Sequence, residues 1–333
     1  MLDADVEVDR RDFTVRAAVQ VAAGERVALF GPSGAGKTTL LEVVAGLVAP
    51  RRGRVVLGGR VLTSTTAPVQ AVPPWLRRVG LLRQDPGLFP HLSVRGNLTY
   101  ARSAGSKGPA GHELADVAAT LGIGGLLEAM PAALSGGQRH RVALGRLLLA
   151  HCDALLLDEP YTGLDASLRR SLTELVVSLV TAREVPAVLV AHELADAQAF
   201  ADRLAVLDRG ELLQIAPPDQ VVLRPASRRV AELVGYLGFI PAGPAAVAGV
   251  HPERVLAGAH PGRGLVLTGS VAARRPAGAG WEADLRVDGT VITCRLPDRP
   301  AADGSELVVT ALDPPRFGPD GRNQATEAGE RSA

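Results

Sequence analysis

Cysteine is nearly absent from this 333-residue chain: Cys152 and Cys294 stand far apart in apolar contexts. That excludes a disulfide framework or a cysteine metal site, and a reducing compartment is the simplest expectation. An excess of one charge sign is also missing. The formal net charge is +1 with 21% charged residues, which argues against nucleic acid as a partner. No apolar run reaches about 18 residues before Arg, His, Asp or Glu interrupts it, and Met1-Leu2-Asp3-Ala4-Asp5 lacks the basic-then-apolar order of a secretory signal. Any business at a membrane is therefore expected to run through a partner chain. The composition is otherwise that of a globular protein, 47% hydrophobic, and the length suits one large core plus a smaller domain.

A short apolar run at 26–30 ends in a glycine-rich turn, and helical apolar spacing follows over 38–47. Further strands are expected at 79–82, 154–157, 187–191 and 203–207, alternating with helices over 166–183 and 193–201. This alternation predicts an α/β fold with a parallel core sheet. Residues 93–150 read as mostly helical, an inserted helical subdomain. Asp208-Arg209-Gly210 marks a tight turn, a hairpin expected to finish the sheet. Residues 1–235 are expected to form this first domain, and 236–249, rich in Gly, Pro and Ala, suit a linker. Beyond them, period-two alternation at 264–271, 281–287, 290–296 and 306–311 predicts a small all-β barrel over 250–312. The polar tail, 313–333, is expected to be disordered.

Two segments carry chemistry by themselves. Gly31-Pro32-Ser33-Gly34-Ala35-Gly36-Lys37-Thr38 fits GxxxxGK[ST] between a buried strand and a helix. There the glycines let backbone N–H groups converge on nucleotide phosphates, Lys37 reaches the terminal phosphates, and the Thr38 hydroxyl can ligate Mg2+. Lys37 is one of only two lysines in the chain, which makes a chance match remote. Leu155-Leu156-Leu157-Asp158-Glu159-Pro160 is an apolar strand ending in two carboxylates. Asp158 would hold Mg2+ through water, and Glu159 would polarise a water attacking the γ-phosphate.

Leu134-Ser135-Gly136-Gly137-Gln138, a short helix upstream of Asp158, is the signature motif of the ABC ATPase family. A serine N-cap opening a helix explains this stretch locally just as well, but not its spacing from Asp158. On these motifs in order the chain resembles that family. The resemblance implies a P-loop NTPase of ABC type with ATP and Mg2+ as cofactors. It further implies catalytic roles for Glu159, His192 (switch histidine) and Gln84 (glutamine loop), with Thr38, Gln84 and Asp158 toward the metal. Nucleotide contacts are expected from Gly31 to Thr38, from Thr39, and from Ser135, Gly136, Gly137 and Gln138. Asp165, in the D-loop, would lie at a dimer seam. The signature residues cannot easily reach nucleotide on their own subunit's loop, and the family resolves this with a head-to-tail, ATP-dependent homodimer.

Residues 77–98, through Gln84, Leu88, Phe89 and Leu92 to Val94-Arg95-Gly96-Asn97-Leu98, resemble importer ATPases, those for molybdate in particular. Gly249-Val250-His251-Pro252-Glu253 resembles the entry to a TOBE-type, OB-like domain. The implied protein works at the cytoplasmic face of a membrane with an integral permease and, indirectly, an external solute-binding protein. Leu88, Phe89 and Leu92 form the expected apolar surface for a permease helix. Its solute would be molybdate or a related oxyanion; sulfate, polyamines and sugars are alternatives, as is a non-transport ABC ATPase, although those carry long coiled-coil insertions and this chain shows none. Five features depart from the family pattern. No aromatic clearly matches the adenine-stacking position, where Phe13 is the candidate; Arg83 stands for an aromatic, His140 for Gln and His251 for Arg, and Thr162-Gly163 for the small-residue pair usual before Leu164-Asp165.

Overall fold

The computed structural model describes residues 1–10, 13–103, 114–243 and 245–324. The chain divides into two compact units, Met1–Pro218 and Asp219–Ala333. In the first, β1 (Leu2–Asp9), β2 (Thr14–Val21) and β3 (Arg26–Phe30) precede helix α1 (Lys37–Ala45). Strands β4 (Arg52–Leu57), β5 (Arg60–Ser64), β6 (Gln70–Ala71) and β7 (Val79–Leu82) follow, then helices α2 (Val94–Ser103), α3 (Leu114–Thr120) and α4 (Gly136–Leu149). The unit closes with β8 (Ala154–Asp158), α5 (Ala166–Arg183), β9 (Ala187–Ala191), α6 (Leu194–Phe200), β10 (Arg203–Asp208) and β11 (Glu211–Ala216).

These strands form one sheet in the order β6-β5-β4-β1-β2-β11-β10-β3-β9-β8-β7. From β10 to β7 every neighbour is parallel. Strands β8 and β9 are buried at every residue, as strands covered on both faces must be, and this is why they read as unbroken apolar runs. From β6 to β2 the sheet is antiparallel. This wing was not among the expected strands, although Ala4, Val6 and Val8 alternate inward with the polar residues between them outward. The β10–β11 hairpin does not finish the sheet. Its second strand pairs antiparallel with β10 and meets β2 in parallel at Glu211↔Arg16, because the open edge of β2 offers unpaired backbone groups to the returning chain. The hairpin thus joins core and wing. Among the described residues, the stretch from 93 to 150 holds helices and no strand. Gly145 lets α4 approach Leu98, Val117 and Leu121, whose atoms a Cβ there would meet at 2.7–3.6 Å. No described helix is long and apolar enough to cross a membrane.

The second unit opens with short helices α7 (Pro218–Leu223) and α8 (Arg228–Leu233), residues that the sequence reading assigned to the first domain. Residues 236–249 are not a bare linker. Strands β12 (Phe239–Pro241) and β13 (Val247–Gly249) pair there, Tyr236 is buried with its hydroxyl donating to the Val222 carbonyl at 2.8 Å, and Phe239 packs edge-on against Phe317. Strands β14 (Val255–Ala257), β15 (Gly264–Ala277), β16 (Gly280–Val287), β17 (Thr290–Leu296) and β18 (Glu306–Leu312) make an antiparallel sheet in the order β14-β18-β15-β16-β17. Its core includes Val271, Leu285, Ile292 and Val309. No ladder joins β14 to β17 among the described residues, so the hydrogen bonding does not close a barrel. The supposed tail starts ordered: β19 (Arg316–Phe317) pairs with β13, and buried Asn323 donates to the Pro225 carbonyl at 2.9 Å. The rest of it, 325–333, lies outside the described residues. Burial pushes the Cys152 and Cys294 thiols up to about 11 and about 12 respectively, which keeps both as inert core groups.

His251 is expected to make the second unit acid-sensitive. Its Nδ1 accepts from the Glu253 amide at 3.3 Å, and burial holds its pKa below the ordinary value. As pH falls, the unfolded chain takes up this proton first, at about 6.5, so stability is full above that pH and declines below it. His251→Asn, whose Oδ1 can replace Nδ1 as acceptor, should flatten the fall in melting temperature between about pH 7 and 5. A calorimetric profile as steep as the parent's would reject this account.

Candidate nucleotide site

The phosphate loop is built by close approaches that only glycine permits. Gly31 sits at φ 147, and a Cβ there would lie 1.9 Å from the Leu207 carbonyl oxygen; Gly36 sits at φ 103, where a Cβ would strike Val15 at 2.7 Å. The loop is also stapled to the β10–β11 hairpin: the Gly210 amide donates to the Ala35 carbonyl at 3.0 Å, and the Arg16 amide to the Gly210 carbonyl at 2.6 Å. Lys37, the first residue of α1, is 5% exposed and donates to the Gly31 and Pro32 carbonyls at 2.7 and 2.9 Å. Burial lowers its pKa, opposed by Glu159 and Asp158.

At the end of β8, Asp158 is buried and its Oδ1 accepts from the Thr38 hydroxyl at 3.2 Å. Burial raises its pKa. Glu159 follows at φ 54, a left-handed conformation that costs a non-glycine residue about 1–3 kcal/mol and persists where the surroundings impose it. The turn brings its carboxylate to two partners. Gln84 Nε2 donates to Oε1 at 2.8 Å, and His192 Nε2 lies 2.5 Å from the same oxygen. Three residues expected on separate loops therefore meet at one atom.

Ser33, Gly34, Ala35, Gly36, Lys37, Thr38, Thr39, Gln84, Glu159 and His192 line a single cleft of about 450 Å³. Arg10 and Phe13 complete its wall. Arg10, which was not among the expected site residues, follows β1 and bonds Thr39 and Glu42 of α1. Ser135, Gly136, Gly137, Gln138 and Asp165 do not line this cleft. Gly136 and Gly137 line an adjoining groove that reaches Gln84 and Glu159. Ser135 caps α4 in a reciprocal box with Gln138: its Oγ accepts from the Gln138 amide at 3.2 Å, and Gln138 Oε1 accepts from the Ser135 amide at 2.8 Å. Asp165 caps α5 by accepting from the Leu168 amide at 2.9 Å. The Leu88–Phe89–Leu92 cluster is half-buried rather than exposed; Phe89 stacks on Tyr100 at 4.2 Å under the Arg146 guanidinium, leaving Tyr100 as the exposed ring.

The donor set fits a hard divalent cation together with a polyphosphate. Among the described residues no three His, Cys, Asp or Glu cluster as an all-protein cage, but Mg2+ prefers one or two protein oxygens plus phosphates and waters. The Thr38 hydroxyl, the Asp158 carboxylate and the Gln84 amide oxygen supply such oxygens. Electrostatically the loop is unsatisfied without them: buried Lys37 spends its donors on neutral carbonyls, and burial pushes Lys37 and Asp158 each toward its neutral form. A cation and an anionic phosphate would reverse both shifts.

Parallel sheet, glycine loop, helix start and strand-end carboxylates together define a P-loop nucleotide-binding fold. Residues 16–162 match the family model of the ABC transporter. The chain is 40% identical over 225 residues to the Fe(3+) ions import ATP-binding protein FbpC of Mesorhizobium japonicum, covering 67% of this chain and 61% of that protein. It is 42% identical over 216 residues to the molybdenum import ATP-binding protein ModC of the same organism, covering 64% and 57%. The chain thus spans less than two thirds of the length of these relatives. A solved ATP-binding subunit of an ABC transporter matches with a TM-score of 0.59 at 25% identity, covering 71% of this chain and 95% of that one. A dimeric ATP-binding cassette in a post-hydrolysis state with ADP and Pi matches in fold, with a TM-score of 0.56 at 23% identity over 66% of this chain and 99% of that one. Over residues 16–162 the first unit thus matches an ABC transporter ATP-binding domain in sequence, and it shares the fold of a solved ATP-binding subunit.

Proposed function

We infer that this chain is the ATP-hydrolysing subunit of an ABC importer. The observation that carries the reading is the meeting of Gln84 and His192 on Glu159 Oε1 beside the phosphate loop. Glu159 is the general base: its carboxylate takes the proton of the attacking water while His192 and Gln84 fix its orientation. Gly31 to Thr38 hold the phosphates, Lys37 exchanges its backbone carbonyls for phosphate oxygens, and Thr39 supports the helix start. Thr38, Asp158 and Gln84 hold Mg2+, which when bound neutralises charge on the terminal phosphates. Ser135, Gly136, Gly137 and Gln138 act on the nucleotide of a second copy in a head-to-tail homodimer, with Asp165 at the seam. Their exclusion from the chain's own cleft supports this arrangement.

An importer implies an integral permease, a peripheral position on the cytoplasmic face of the membrane and an external solute-binding protein. A groove of about 430 Å³ beside Arg83, Phe89, Tyr100, Arg146 and Leu147 suits an apolar permease helix. Phe89→Asp should abolish co-purification of the permease while ATP binding is retained; a normal yield of complex would sink this docking site. For the solute we propose molybdate or a related oxyanion, supported by the 42% identity to a molybdenum importer subunit. Ferric iron competes on the 40% identity to an iron importer subunit. Uptake of radiolabelled molybdate and ferric iron by vesicles holding the purified complex decides between them. The second unit, with its five-stranded antiparallel sheet, is proposed as a TOBE-type, OB-like regulatory domain.

A further inference from the structure

Helix α5 is bonded to the segments that carry both Glu159 and His192. Arg169 and Thr173, four residues apart, share one face of it. The Thr173 hydroxyl lies 2.9 Å from that of Tyr161, which is buried two residues past Glu159. One turn earlier, Arg169 Nη1 donates to Glu193 Oε2 at 2.8 Å and to Asp196 Oδ1 and Oδ2 at 3.3 and 3.4 Å. Glu193 directly follows His192. It is the N-cap residue of α6, yet its side chain caps no amide of that helix and turns to α5 instead.

These contacts close a ring. From Glu159 it runs through Tyr161 to Thr173, along α5 to Arg169, across to Glu193, and through His192 back to Glu159 Oε1 at 2.5 Å. A cavity of about 180 Å³ touches Glu159, Arg169, His192, Glu193 and Asp196. Side-chain packing is therefore thin beside the His192 segment, and the Arg169 bridge spans the gap. The Asp196 side chain is 13% exposed, which makes the grip firmer than that of a surface pair. Arg169 lines this cavity and not the nucleotide cleft.

We propose that Arg169 is a positioning residue for ATP hydrolysis: by holding Glu193 and Asp196 from α5, it sets His192 against the Glu159 carboxylate. The inference rests on the reading of Glu159 as the base that His192 orients. A misplaced catalytic group slows the chemical step even when substrate binding is intact. Loss of the bridge should therefore appear in turnover and not in nucleotide affinity.

The test is steady-state ATP hydrolysis by the full chain with Mg2+. Arg169→Ala should lower kcat about tenfold while KM for ATP stays within about twofold of the parent's. Arg169→Lys, which keeps a cation for Glu193, should bring kcat back to within about threefold of the parent. Glu193→Ala cuts the same link at a side chain that is 61% exposed, where folding is not at stake, and should also lower kcat. In a His192→Ala chain, adding Arg169→Ala should cost nothing more, because the group it places is gone. The full loss repeated in that background, a rise in KM matching the fall in kcat, or parent-like turnover in Arg169→Ala or Glu193→Ala would each overturn the proposal, and a slow His192→Ala would then leave the proposed function standing. A His192→Ala chain that hydrolyses ATP at the parent rate removes His192 from that function, and this inference with it.

Discussion

Glu159→Gln is expected to bind ATP as tightly as the parent and to turn it over on the order of 10²-fold more slowly or worse. Geometry makes the substitution selective. The amide oxygen of a glutamine can still accept from Gln84 Nε2, now 2.8 Å from Glu159 Oε1, so the loop keeps its shape while the proton acceptor is lost. The left-handed backbone at Glu159 is served equally by either side chain, and neither Lys37 nor Asp158 loses a hydrogen-bond partner. With hydrolysis blocked, ATP should accumulate and hold two copies together, giving a dimer on size exclusion that appears only with ATP. Lys37→Ala, lacking the buried ammonium at the loop, should stay monomeric. Parent-rate turnover in Glu159→Gln would falsify the general-base assignment.

Adding Gly136→Glu to Glu159→Gln should split that dimer again and, in the otherwise native chain, remove at least about 99% of ATPase activity. The fold makes this a cleaner test than any change at Ser135, whose capping box stabilises α4 by about 1 kcal/mol. A Cβ on Gly136 meets nothing within 4 Å, and a carboxylate in the first turn of a helix is favourable there. The monomer should therefore melt no lower than the parent. Across the proposed seam the same carboxylate would face the triphosphate of the second copy, and like charges in a partly buried site repel strongly. A double variant that still dimerises with ATP would remove the signature from the nucleotide site.

The legible parts of this protein are those whose physics is local. Residues 31–38 declare a phosphate loop because Gly31 and Gly36 answer nearby steric demands, and β8 and β9 declare themselves by burial on both faces. The antiparallel wing was harder: its strands owe their stability to pairing partners as distant as Leu57 for Leu2 and Glu211 for Arg16, and Ala, Asp and Arg within them blur the alternation. The meeting of Gln84, Glu159 and His192 could be inferred only from family order, since nothing in the three separate segments encodes a shared oxygen. Residues 236–249 were misread for a related reason. Their Gly, Pro and Ala content resembles a linker, yet β12 and β13 are fixed by β19 and by Phe317, far along the chain.

The junction of core and wing governs where this chain tolerates being cut or extended. The turn after β10 looks like any tight hairpin, but Gly210 hands one hydrogen bond to the phosphate loop and takes another from β2, and a Cβ on it would lie 2.3 Å from the Thr14 carbonyl. New termini or an inserted reporter at 208–210 would dismantle the nucleotide cleft along with the hairpin. The turn between β4 and β5 offers the opposite case: Gly58 and Gly59 face open space, with nothing within 4 Å of an added Cβ. A circular permutant or fluorescent insertion belongs there, where the wing can be opened without disturbing the loop that holds the phosphates.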